Sequence, residues 1–270
     1  MSVEYEVDGK TAIITLNNPA KLNAINLDMF AQLGHHLRAA AADPNIYITL
    51  LTGKGRFFSS GADIANRREP EPGEDKRRGY VQNFSRILDL TNTFYTHSNI
   101  LITALNGPVV GLTAALITHS DFIYAAPHTY LLAPFTSLGL VVEGGGSRSF
   151  ANRMGVTKAK EALIMSRRIP AEELLACGFL NGIFPANRDG SDSEAFRTTV
   201  MNKVCREQLD ESNLSSWSML RIKELMGRTE NHLLDGHVLN EVLGGVDALS
   251  SGVPQKEFAK MKKKQKQHKL

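Results

Sequence analysis

The chain has 270 residues, 42% of them hydrophobic and 22% charged, a balance that suits a globular protein with a sizeable core. A formal net charge of +3 is too small to mark a nucleic-acid binder, and no apolar run reaches the roughly eighteen residues that cross a bilayer. The opening MSVEYEVDGK lacks the basic-then-apolar order of a secretory signal, so a soluble intracellular chain is expected.

EYEV and TAIITL read as two strands turned at Asp8 and Gly9, because β-rich runs split by Asp-Gly form hairpins. From Leu27 to Ala42, helical spacing brings Met29, Phe30, Leu33 and Leu37 to one face, and DPN then stops the helix. IYITLLTG is a buried strand. NRREPEPGEDKRRGY, dense in proline and charge, reads as an exposed loop ahead of a helix from about Val81 to His97. NILITALNG is a further strand, Leu112 to His119 a short helix, and FIYAA and YLLAPF strands again. This repetition of strand, strand, helix predicts an α/β spiral or layered core. From about Phe196 the pattern turns helical, and whether these helices pack on their own core or on a neighbouring subunit is left open. Cys177 and Cys205 have no metal-ligand spacing and no disulfide framework, and are read as packing residues.

Three stretches could carry chemistry. FFSSGADI (Phe57 to Ile64) and NGPVVGLTAAL (Asn106 to Leu116) each place glycines before a predicted helix, where free backbone N–H groups could face a ligand. In LGLVVEGGGSRS, Glu143 stands between apolar residues and three glycines. It either turns to solvent or is held in an apolar pocket, where the charged form is disfavoured.

Together the three stretches resemble the crotonase (enoyl-CoA hydratase/isomerase) superfamily, over most of the chain and most strongly from about Tyr47 to Ser147. The resemblance implies an α/β, crotonase-like spiral of repeated ββα units over residues 1–195, with the active site. It implies a C-terminal helical region over 196–270 that serves oligomerisation and carries a targeting tail. It assigns the backbone N–H groups of Ala62 and Leu112 to an oxyanion hole. Ser60, Gly61, Ala62, Asp63 and Ile64, with Gly111 and Leu112, would bind the acyl-CoA substrate.

Hydratases of this family use two glutamates, and the matching places here hold Ala115 and Phe135. A lone acid at Glu143 resembles the Δ3,Δ2-enoyl-CoA isomerases, particularly the fungal peroxisomal form. Glu143 would then take a proton from C2 of a 3-enoyl thioester and return it to C4, with no metal and no cofactor beyond the coenzyme A of the substrate. Some isomerases hold this acid through an asparagine; here Ile87 or Leu88 falls at that place, and Asn83 is out of register.

Other candidates carry less. No GxSxG elbow surrounds Ser59 or Ser60, and His97 and His119 are read as satisfying structural hydrogen bonds. Asp63 reads as a helix cap, and Lys54, Arg56 and the tail lysines as a solvated face that could meet coenzyme A phosphates. The terminal His268, Lys269 and Leu270 resemble the Ser-Lys-Leu peroxisomal address, which implies an import receptor as partner. By resemblance a homotrimer or a dimer of trimers is expected, with no nucleic-acid partner and no membrane span. Two alternatives remain: a Δ3,5,Δ2,4-dienoyl-CoA isomerase, which Phe135 disfavours, and a catalytically idle binding protein of the same fold.

Overall fold

In the computed structural model, which describes residues 2–63 and 75–263, β1 (Ser2–Asp8) and β2 (Thr11–Asn17) form the expected antiparallel hairpin, with Gly9 at φ +60° in its turn. The helix α1 (Leu27–Ala42) follows, capped by Asn26, whose side chain accepts from Met29 N at 2.9 Å. Its buried face is Met29, Phe30, Leu33 and Leu37, as the spacing requires. The strand β3 (Ile48–Gly53) is buried along its whole length.

The next helix, α2 (Lys76–Tyr95), begins before the expected Val81 and ends before His97. The run Lys76, Arg77 and Arg78 looked like solvated loop, but these cations are the exposed face of a first turn that Asp75 caps by accepting from Arg77 N. Tyr80 and Phe84, one turn apart, point inward. The earlier part of the charged stretch, from Asn66 to Glu74, lies outside the described residues, as do Ile64 and the tripeptide His268 to Leu270.

The remaining core alternates between two sheets. β4 (Ile100–Leu105) joins the large sheet, β5 (Val109–Val110) the small one, and α3 (Leu112–Leu116) follows, extended by a 3₁₀ turn at Ile117–His119. β6 (Phe122–Ala125) and β7 (Tyr130–Leu132) repeat that path before α4 (Gly146–Leu163), which kinks at Gly155. β8 (Ile169–Pro170), α5 (Ala171–Ala176) and β9 (Gly182–Ile183) complete the last coil. The large sheet has the order β1-β2-β3-β4-β6-β9, parallel after the first hairpin, and the small sheet the order β5-β7-β8. The β4–β5–α3 and β6–β7–α4 coils thus each contribute a strand to each sheet and then a helix, within an α/β spiral that has its helical region at the C-terminal end.

That helical region packs on its own chain. Phe196 and Val200 of α6 (Ser193–Val200), with Val204 and Cys205 of a π-helical turn (Met201–Gln208), lie against Ile13, Ile48 and Ile102 of the large sheet. Burial pushes the Cys205 thiol up to about 12, which suits a packing residue. The long α7 (Ser216–Ser251) lays Val246 and Leu249 on Tyr80 and Phe84 of α2. Gly245 makes that crossing possible, since a Cβ there would sit 2.2 Å from Cζ of Phe84. A last helix, α8 (Val253–Lys262), follows.

Candidate active site

The two glycine-containing stretches run side by side in register. Ser59 bridges Val109 in parallel, with Val110 N donating to Ser59 O at 3.0 Å. Two residues on, Gly61 (φ +93°) and Gly111 (φ +64°) meet backbone to backbone, and a Cβ on Gly61 would lie 2.9 Å from the Val110 carbonyl oxygen. A side chain on Gly61 would push the two coils apart. One residue further stand Ala62 and Leu112, which equal offsets along the paired segments bring to the wall of one cavity.

Both amides are available. Ile25 N donates to Gly61 O and Asp63 N donates to Ile25 O, each at 2.8 Å, which turns the Ala62 N–H to the side away from Ile25. Leu112 opens α3, and the first N–H groups of a helix have no partner within it. Among the described residues neither amide has a hydrogen-bond acceptor. Two such donors can stabilise an oxygen on which negative charge develops.

Ala62, Leu112 and Glu143 line one cavity of about 310 Å³. Its walls are mainly apolar, among them Ile25, Phe30, Phe84, Ile87 and Leu138. Glu143 is half-buried and precedes Gly144 (φ +75°) and Gly145 (φ +76°), whose left-handed backbone turns the chain into α4. A Cβ on Gly144 would stand 3.0 Å from both Ala115 Cβ and Leu112 Cδ1, and one on Gly145 2.8 Å from His119 Nε2. The glycines after Glu143 therefore let its turn nest directly on α3, the helix that presents the Leu112 amide.

Of the residues singled out in the sequence, Ser60, Gly61, Ala62, Asp63, Gly111, Leu112 and Glu143 all border this cavity, and Ile64 is outside the described residues. Asp63 pairs with Lys21 at 3.2 Å. Phe135 is buried and forms part of the wall, while Ala115 lies behind Gly144, so hydrocarbon occupies both places where the resemblance would put hydratase carboxylates. Asn83, which its register set aside, also borders the cavity, one helical turn before Ile87 on the same face of α2; so does Arg86. The i, i+4 spacing to Ile87 was the signal for Asn83 that the sequence reading passed over.

The two histidines serve the scaffold. His97 Nε2 is 2.9 Å from Thr49 Oγ1, and burial lowers its pKa to about 3, with Lys223 adding to the effect. His119 is held down to about 4, again chiefly by burial, and its Nε2–H donates to the Gly144 carbonyl at 2.8 Å. No cluster of three or more His, Cys, Asp or Glu side chains able to hold a metal ion occurs among the described residues.

Known proteins resemble this chain in sequence and in fold. The sequence profile of enoyl-CoA hydratase/isomerase matches residues 6–212. A Delta(3,5)-Delta(2,4)-dienoyl-CoA isomerase of Pyricularia oryzae is 46% identical over 100% of this chain and 98% of its own. The 3,2-trans-enoyl-CoA isomerase of Saccharomyces cerevisiae is 33% identical, covering 99% of this chain and 96% of its own. The crystal structure of an enoyl-CoA hydratase/isomerase from Pseudoalteromonas atlantica superimposes with a TM-score of 0.84 over 100% of both chains at 21% identity, a likeness of fold.

The chain belongs to the enoyl-CoA hydratase/isomerase family, and its spiral is the crotonase fold. Within that family its relatives place it among the isomerases.

Proposed function

We propose that this enzyme is a Δ3,Δ2-enoyl-CoA isomerase, moving the double bond of a 3-enoyl-CoA to the 2-trans position. The observation that carries the reading is one mainly apolar cavity bordered by Glu143, Ala62 and Leu112. The thioester oxygen is placed at the two amides, and the Glu143 carboxylate takes a proton from C2. The electron pair left behind spreads through C1 onto the thioester oxygen, where the amides stabilise it. The protonated Glu143 then delivers the same proton to C4, leaving the double bond between C2 and C3. Apart from coenzyme A, which is part of the substrate, the reaction uses no cofactor.

A second reading, Δ3,5,Δ2,4-dienoyl-CoA isomerase, has the 46% identical Pyricularia protein in its favour. There the proton must travel from C2 to C6, a longer path that a second acid would shorten. Phe135, at the place where the resemblance puts that acid, argues for the shorter shuttle. Side-by-side spectrophotometric assays with 3-hexenoyl-CoA and a 3,5-dienoyl-CoA decide between them. The proposal expects faster turnover of the first substrate and its collapse in Glu143→Gln. Preference for the diene establishes the second reading, and full activity of Glu143→Gln overturns both.

The place of work and the assembly belong to the same reading. A mouse relative, 30% identical over 94% of this chain, is named as peroxisomal, and His268-Lys269-Leu270 resembles the peroxisomal address. Deleting those three residues should leave a tagged copy in the cytosol; unchanged targeting refutes the signal. Trp217, Ile222 and Met226 of α7 are exposed, which supports association with further copies; the homotrimer or dimer of trimers is what the family resemblance implies. Sedimentation analysis reads the number of subunits.

A further inference from the structure

The first turn of α4 has no cap of its own. Gly145 occupies the N-cap position and has no side chain to accept from the helix amides. A carboxylate from the far side of the sequence does so instead. Glu241 of α7 accepts from Gly145 N through Oε2 at 2.8 Å and from Ser147 N through Oε1 at 2.7 Å. It is only 6% exposed, so the pair of bonds is made away from water, where each is strong and its loss costly. Burial pushes the Glu241 carboxyl above its ordinary range, against the pull of the Ser147 and Gly145 donors.

Other groups hold the same turn. His119 donates to Gly144 O at 2.8 Å, and His237, one helical turn before Glu241, places Nδ1 3.0 Å from Ser147 Oγ. Glu143 O accepts from Gly146 N at 3.3 Å, so the residue that bears the acid is itself part of the hydrogen-bonded turn. Glu241 fastens two amides of that turn at once, and Gly144 is the link pressed against Leu112 and Ala115. Letting go of the clamp frees the acid relative to the oxyanion donors without touching either.

We propose that Glu241 is a positioning residue: by clamping the Gly145 and Ser147 amides it fixes the Glu143 turn against the helix that presents the Leu112 amide. The inference rests on the reading of Glu143 as the catalytic acid. It adds that Glu241 of α7 governs proton transfer and not the binding of the acyl-CoA.

The test is Glu241→Gln in the full chain, which keeps the size but sets an NH₂ group against one of the two amides. With 3-hexenoyl-CoA, kcat should fall about tenfold while KM stays within about twofold, as for a loss of transition-state positioning. The C2-deuterium isotope effect on kcat should rise, because proton transfer becomes more rate-limiting, and amide exchange should quicken in the segment from Gly144 to Ser149. Glu241→Asp, which keeps the charge on a shorter stem, should recover part of kcat; it carries the same measurements if the glutamine variant does not fold. An unchanged kcat and isotope effect, or a loss of kcat that follows only the folded fraction, overturns the role of Glu241. Activity that survives Glu143→Gln overturns the catalytic reading itself, so the two failures are told apart.

Discussion

The cavity at Glu143 and the cleft between α7 and the ends of α2 and α4 make an instructive pair. The cleft is larger, about 790 Å³ against about 310 Å³, and has more ionisable groups on its walls. Those groups are committed to one another. Lys223 donates to Asp121 and to Asn99 O, both at 2.6 Å, and Arg153 Nε donates to Thr118 O at 2.6 Å. The smaller cavity is instead mainly apolar and is bordered by Glu143, Ala62 and Leu112. Neither room nor the number of ionisable groups by itself marks the place of chemistry; the proposed site is the smaller and more apolar of the two.

The sharpest way to break that contrast is Glu143→Gln, for which kcat should drop by about 10²–10⁴-fold while the unfolding midpoint barely moves. Next comes Gly144→Ala. Its Cβ would meet Ala115 and Leu112 at 3.0 Å in a left-handed backbone, so both turnover and stability should suffer, the latter by roughly 1–3 kcal/mol in urea unfolding. A cleft variant should behave in the opposite way. Lys223→Met strips Asp121 of its cation and should lower stability by roughly 1–3 kcal/mol, leaving kcat within about twofold.

Acid sharpens the same division. Both cleft histidines titrate near 6.5 when unfolded, but burial holds His97 to about 3 and His119 to about 4 in the folded chain. The unfolded state therefore takes up protons first. The contribution is whole above pH 6.5 and is lost as the pH falls through 4 towards 3. Between about pH 7 and pH 5 the loss should be roughly 2 kcal/mol for each histidine, and urea midpoints for His97→Gln should show a weaker pH dependence.

The parts of the site made by short segments were legible before the structure. Gly61 with Ala62, and Gly111 with Leu112, occupy matching places in successive coils, and the Glu143 turn announced itself by three glycines. The start of α2 was misread because Lys76 to Arg78 look like loop, although they are one exposed face over an inward Tyr80 and Phe84. Glu241 was missed because its partners are 96 and 94 residues away, a separation on which helical spacing is silent. One trace of it was present. It sits on the same stripe of α7 as Leu234, Val238, Val246 and Leu249, and an acid within such a stripe needs a donor to justify its burial.

The span of α7 has a consequence for the order in which the enzyme comes into being. A ribosome releases the segment with Glu143 long before it makes Glu241, and Leu249, which also walls the cavity, later still. A nascent chain can wind its spiral coil by coil, yet under the proposed clamp the Glu143 turn stays unfastened until α7 emerges and docks. On the proposed roles, the cavity is completed only once both the Glu143 turn and the Glu241 segment of α7 have been made.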